Sequence, residues 1–318
     1  MTDDLPIIDM SGLLSEALAD RMAVAAALGR ACRGTGFFYV TGHGVAPATM
    51  TALFAEAKRF FDLPLRDRQA LSIHRNRNNR GYFGLTEEHL DPAALPDHKE
   101  GINIGLELDP SDPEFDRPFR GENYWPDLPG WREVMLGYFD LCVALGRTLH
   151  RGFCLDLGLA EDFFEPALDR PIGTLRLLRY PPAAGGSTAA PGAARGAAPG
   201  AGEHTDYGNI TILAVDGVGG LQLRRRDGVW IDAPTIPGAF IVNIGDCLMR
   251  WTDDAYVSTP HRVSVPQRER LSIAFFLDPN PDVIVAPVLG GEAALTRYPP
   301  ISGADYLRFR IDPTYKAA

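Results

Sequence analysis

The stretch that decides the fold starts at His204-Thr-Asp-Tyr-Gly208. It runs on through Ile210-Thr-Ile-Leu-Ala-Val215, Leu221-Gln-Leu-Arg-Arg225, Val229-Trp-Ile231 and Phe240-Ile-Val-Asn-Ile244 to Leu271-Ser-Ile-Ala-Phe-Phe-Leu277. Each run is short and rich in β-branched or aromatic residues, which pack well on a pleated surface. Between them lie turn pairs at Asp216-Gly217, Gly219-Gly220, Asp227-Gly228 and Gly245-Asp246. With a further run at Leu175–Arg179, many short strands divided by Gly and Pro predict an antiparallel sandwich or barrel.

Upstream, helical patterns take over. Residues 5–9 predict a short strand, Ser11 a helix cap, and the Ala-rich stretch Leu13–Arg33 a helix stopped by Gly34-Thr-Gly36. Phe37–Thr41 predicts a second strand ending at Gly42-His-Gly44, and residues 48–61 a second amphipathic helix. Residues 73–123 have few periodic runs and many Asn, Pro and Gly, which predicts a long functional loop. Apolar positions recur at helical spacing from Trp131 to Leu157, among them Met135, Tyr138, Phe139 and Leu145, so a long packing helix is expected there. The class is α+β, a strand-rich core with helices outside it. The chain divides into residues 1–125, a helix-and-strand region with the substrate loop, and 126–318, the core, within one compact unit. Residues 183–202 are almost pure Ala, Gly and Pro and predict a flexible surface insertion.

Composition narrows the function. The 318 residues are 45% hydrophobic and 23% charged, a globular profile, and carry 31 Lys and Arg against 41 Asp and Glu, a net charge of −10. A negative field with scattered Arg opposes phosphate backbones, so nucleic acid is excluded as a partner. No apolar window approaches the ~18 residues that span a bilayer, and the start, Met1-Thr-Asp-Asp-Leu-Pro6, is acidic where a signal peptide is basic. The expectation is a soluble, cytoplasmic monomer or weak homo-oligomer that does not bind membranes and acts on a small molecule. Cys32, Cys142, Cys154 and Cys247 form no CxxC pair and are expected to be buried, inert thiols.

In an extended His204-Thr-Asp206 segment the two-residue period puts His204 and Asp206 on one face, and His261 is the natural third ligand. Two His and one carboxylate cap one face of an octahedral ferrous ion and leave three adjacent positions open. A lone His-x-Asp is more often a hydrogen-bonded turn. A second set raises its standing: in Arg270–Phe276, alternation places Arg270, Ser272, Ala274 and Phe276 on one face and Leu271, Ile273, Phe275 and Leu277 on the other. Arg and Ser on the inner side of a barrel strand need an anionic or polar partner, and the planar guanidinium matches a carboxylate; a surface salt bridge on a solvated strand face is the alternative from the strand alone. A zinc hydrolase ranks lower, because alternation turns Glu203 away from a metal-bound water; a jelly-roll binding protein with a structural metal is the non-enzyme alternative.

Taken in order, Arg179-Tyr-Pro-Pro182, His204-Thr-Asp206, Gly219-Gly-Leu-Gln222, Val242-Asn-Ile-Gly-Asp246, Ser258-Thr-Pro-His-Arg262 and Glu269-Arg-Leu-Ser-Ile-Ala-Phe-Phe276 resemble the isopenicillin N synthase-like iron(II), 2-oxoglutarate-dependent oxygenases. Ile7-Ile-Asp9, Thr35–Gly44 and Phe60-Phe61 extend the likeness over nearly the whole chain. The resemblance implies a double-stranded β-helix, a distorted jelly roll, flanked by helices. It implies His204, Asp206 and His261 as Fe(II) ligands and Arg270, Ser272 and Tyr180 as contacts for the distal carboxylate of 2-oxoglutarate. One position departs: Leu178 stands where many plant members have Asn. The implied reaction is O2-dependent oxidation of a small organic molecule, by hydroxylation, desaturation or cyclisation, with release of succinate and CO2. The alternatives are a 2-oxoglutarate-independent oxidase and an ethylene-forming activity.

Tyr207, which follows Asp206, and Phe276, which shares the face of Arg270, are candidate substrate contacts, as are Tyr82, Phe83 and Arg179. The pocket is expected to draw on residues 73–123 and 297–315. His43 reads as a fold element, and His74, His89, His98 and His150 receive no metal role. Asn243, Gly245 and Asp246 read as a turn that aims the following loop.

Overall fold

The computed structural model describes residues 5–90, 95–182 and 199–315. The first half contains β1 (Ile7–Asp9), α1 (Leu18–Gly34), β2 (Phe37–Thr41), α2 (Pro47–Phe61), α3 (Leu65–Gln69), β3 (Gly81–Phe83), β4 (Glu100–Gly105) and α4 (Trp131–Leu157). The second contains β5 (Ile172–Tyr180), β6 (Ala201–His204), β7 (Ile210–Val215), β8 (Leu221–Arg224), β9 (Trp230–Asp232), β10 (Phe240–Ile244), α5 (Asp246–Trp251), β11 (His261–Val263) and β12 (Arg270–Asp278). A short tail follows: β13 (Ile284–Val285), α6 (Gly291–Arg297), β14 (Ile301–Ser302) and α7 (Gly303–Tyr315).

An eight-stranded sheet in the order β1-β2-β10-β7-β12-β5-β4-β3 faces a four-stranded sheet in the order β6-β11-β8-β9. This is the jelly-roll arrangement with helices outside it. β12 shows why the layers form. Leu271, Ile273, Phe275 and Leu277 join Met135, Tyr138, Phe139 and Leu149 of α4 in the larger core, with Phe139 edge-on to Phe275 at 5.0 Å. Gly146 lets α4 approach closely, since a Cβ there would lie 2.4 Å from the Leu277 side chain. The other face of the sheet supplies Phe37, Leu178, Tyr180 and Ile241 to a second cluster, closed from the facing sheet by Leu221, Leu223 and Val263. Burial of both apolar faces is what drives the layering.

Local expectations are corrected in three places. Ser11 caps no α-helix: it opens a 3₁₀ turn, Ser11–Leu14, with its N–H donated to the Asp9 carboxylate at 2.9 Å, and α1 starts only at Leu18. Residues 73–123 are not all loop, because β3 and β4 lie within them and β4 is a fully buried strand paired along β5. The expected insertion at 183–202 ends early, since Ala201 and Gly202 belong to β6; residues 183–198 lie outside the described set. All four cysteines are buried. Among the described residues no helix is long and apolar enough to cross a membrane.

Candidate active site

The antiparallel pairing of β6 with β11 sets His261 directly across from His204. Asp206, two residues beyond the end of β6, brings Oδ1 within 3.7 Å of His204 Nε2 and 3.6 Å of His261 Nε2. The three donor atoms lie within 4.8 Å of one another, the spacing of ligands around one metal ion. Each ring is oriented by its other nitrogen: His204 Nδ1 faces the Gly202 carbonyl at 2.8 Å and His261 Nδ1 the Thr259 carbonyl at 3.1 Å. Such contacts fix the tautomer that leaves Nε2 with a lone pair. Phe37 packs edge-on to the His261 ring, 5.2 Å between centroids.

Asp206 is held from behind, with Oδ2 accepting from Thr211 Oγ1 at 2.5 Å and Asn243 Nδ2 at 2.7 Å. Burial pushes its carboxyl up, but His261, His204 and these two donors together bring it below the ordinary value. Burial, then His261, push the His204 imidazolium the other way, well below 6.5. His204 is therefore held as a neutral imidazole beside an ionised Asp206, the form in which these groups bind a cation. Asn243 thus does more than build a turn. Gly245 does build one: a Cβ there would stand 2.2 Å from the Gly208 carbonyl.

The triad opens into a cavity of about 140 Å³ between the sheets. Its floor follows the register Arg270↔Tyr180, Ser272↔Leu178, Ala274↔Arg176, Phe276↔Thr174. At one end Arg270, 1% exposed, lies over the Tyr180 ring at 4.7 Å and donates to Ser272 Oγ at 3.1 Å and the Val218 carbonyl at 3.3 Å. Among the described residues no carboxylate pairs with it. A buried guanidinium without an anion is costly, so this end is built for an anionic ligand. The neighbouring charges balance internally: Lys99 Nζ meets Asp97 at 2.8 Å and Glu88 at 2.9 Å, and Glu88 also pairs with Arg176 at 2.9 Å. Burial alone would lower Lys99, yet the two carboxylates raise it.

Of the expected substrate residues, Tyr207 and Phe276 line the cavity, as do Leu307 and Ile311 of α7 and Asn79, Glu88, Leu90 and Lys99 from the 73–123 region. Tyr82 and Arg179 do not. Arg179 falls between inward Leu178 and Tyr180 and so projects to the far face, where its Nε donates to Glu100 at 2.6 Å; Tyr82 donates to the same buried carboxylate at 2.5 Å, and Arg68 completes the set. Phe83 stands one layer back, under the Arg176 guanidinium at 5.2 Å. Asp278 is a cavity residue that sequence reasoning missed, although carrying the β12 alternation two places past Phe276 finds it. Thr211 follows from the same period on β7. Lys99 and Glu88 carried no periodic signal.

Profile comparisons agree with this geometry. Residues 5–128 match the non-haem dioxygenase in morphine synthesis N-terminal family, and residues 172–279 match the 2OG-Fe(II) oxygenase superfamily. The chain belongs to the 2OG-Fe(II) oxygenases. It is 33% identical to the 2-oxoglutarate-Fe(II) type oxidoreductase hxnY of Emericella nidulans, over 98% of this chain and 91% of that protein. To homoarginine-6-hydroxylase 2-ODD-233 of Oryza sativa subsp. japonica the identity is 35%, over 89% of this chain and 88% of the relative. Among solved structures, a full-length Neurospora crassa protein in complex with alpha-KG superposes with a TM-score of 0.86 at 32% identity, covering 98% of this chain and 96% of that one. The same Neurospora crassa protein has also been solved with alpha-KG and thymine. The oxygenase is thus an enzyme whose cofactors are Fe(II) and 2-oxoglutarate, and its donor triad and the buried Arg270, which has no carboxylate partner among the described residues, suit both.

Proposed function

We propose that His204, Asp206 and His261 hold Fe(II), and that Arg270 and Ser272, with Tyr180 beside them, hold the distal carboxylate of 2-oxoglutarate. The substrate is a small organic molecule seated against Phe276 and Tyr207, and the reaction is its hydroxylation. The observation that carries the reading is Arg270: a buried cation with no carboxylate partner among the described residues, in the same cavity as the donor triad. When bound, Fe(II), 2-oxoglutarate and O2 supply the oxidising chemistry, with succinate and CO2 as co-products. The protein's part is orientation and exclusion of water. Gly202 and Thr259 fix the imidazoles, Thr211 and Asn243 hold Asp206 ionised at one angle, and α7 covers the cavity with Leu307 and Ile311. Leu178 stands across from Ser272 and gives the cavity wall an apolar side chain there, so the cosubstrate end relies on Arg270, Ser272 and Tyr180. Because β1 to β4 extend the sheet formed by β5, β7, β10 and β12, residues 1–125 and 126–318 are read as one unit.

Hydroxylation is favoured because relatives include an enzyme named for hydroxylating homoarginine. The test is anaerobic loading with Fe(II) and 2-oxoglutarate. A weak visible charge-transfer band is expected in the wild type and a weakened or absent one in Arg270→Ala. A band of full strength in the variant, or none in the wild type despite bound iron, refutes the assignment.

A further inference from the structure

Asp278 ends β12 on the cavity side, two residues past Phe276 and at the opposite end of the strand from Arg270. It is 5% exposed, yet among the described residues it forms no ion pair; the nearby Asn209 backbone N–H, which donates to the Leu277 carbonyl at 3.1 Å, offsets only part of the effect of burial. The carboxylate lies on the backbone just past Tyr207, so close that a Cβ on Gly208 would stand 2.0 Å from Oδ1. Space has been left for this acid.

Among the described residues the other charges around the cavity are balanced. Lys99 and Arg176 are matched by Asp97 and Glu88. Arg310 on α7 pairs with Asp246 at 2.6 Å. Under the proposed function Arg270 is neutralised by the cosubstrate and Asp206 by the metal. Among the described residues Asp278 is left without a counter-charge, in a cavity it shares with Phe276, Leu307 and Ile311, where an unpaired charge is expensive. Burial, and secondarily Asp206, push its carboxyl up to about 7, the mark of an acid lacking a cation.

We propose that Asp278 is the specificity-determining residue of the substrate pocket and selects a substrate bearing a cationic nitrogen, a guanidinium or ammonium group. This deepens the proposed function and rests on it. A guanidinium or ammonium supplies both the missing charge and N–H donors, and an anionic group at the same place is repelled.

The test uses the protein loaded anaerobically with Fe(II) and 2-oxoglutarate, and two isosteric probes, n-butylguanidinium and neutral n-butylurea. Binding is read as perturbation of the charge-transfer band. If that band never forms, the functional assignment fails and not this one. With the band present, n-butylguanidinium is expected to bind at least about tenfold more tightly than n-butylurea. In Asp278→Asn, whose own band reports that it folds and loads, the preference is expected to vanish. Equal affinities in the wild type, tighter urea binding, no response to the guanidinium, or a preference that survives in Asp278→Asn each overturn the proposal. The wild-type comparison stands without the variant.

Discussion

An acid kept for a ligand costs stability while that ligand is absent, and at Asp278 the cost can be worked out. Its pKa in the fold is about 7, against 3.8 for the free group. At 1.36 kcal/mol for each tenfold change in proton affinity, the gap amounts to about 4 kcal/mol as an upper bound. The sign follows from proton counts. Between about pH 4 and 7 the folded protein keeps a proton that the unfolded chain has released, so stability falls as pH rises, and the full penalty applies above 7. Asp278→Asn removes the titration and keeps the shape of the side chain. Urea unfolding of chelator-treated protein is expected to show the variant more stable than the wild type by about 2 to 4 kcal/mol at pH 8, the difference shrinking towards zero as pH falls to 4. A variant less stable at pH 8, or a difference that does not change with pH, would show that Asp278 is not a buried, uncompensated acid.

Other perturbations separate the roles of neighbouring groups. Asn243→Ala removes one of the two bonds to Asp206 Oδ2; Fe(II) titration is expected to show affinity reduced by about 10- to 100-fold, and unchanged affinity would return Asn243 to a turn-building role. Glu100→Gln strips the charge shared by Arg68, Tyr82 and Arg179 and is expected to destabilise by about 3 to 5 kcal/mol. Its 2-oxoglutarate affinity should change little, and a large loss there would put that cluster back in the site. Gly245→Ala drives a methyl to 2.2 Å from the Gly208 carbonyl and is expected to cost at least about 2 kcal/mol in thermal or urea unfolding. A neutral result would mean that the turn after β10 yields easily.

What was legible in the chain was legible because it repeats at short range. Alternation along Arg270–Phe276 separated an apolar face from one carrying Arg and Ser, and those faces do meet α4 and the cavity. The same period put His204 and Asp206 together. β4 escaped notice because Glu100-Gly-Ile-Asn-Ile-Gly105 has two Gly, an Asn and a Glu, all poor strand formers, and it exists by pairing along β5. Tyr82 and Arg179 looked like site residues because they carry binding chemistry near a recognised motif. Only Glu100, on the far face of β4, shows why they turn away.

The sequence by itself determined the layer architecture, the family motifs and the pairing of His204 with Asp206, since these rest on residue type and short-range spacing; His261 was named by its place in the family motif. The tertiary structure alone decided the rest. Strand register set His261 across from His204, Thr211 and Asn243 came from separate strands to hold one carboxylate, and Arg270 and Asp278 were left at opposite ends of a strand, each buried without an opposite charge among the described residues. Whether a charge is paired depends on what other strands bring within a few ångströms of it, and no local pattern along the chain carries that information.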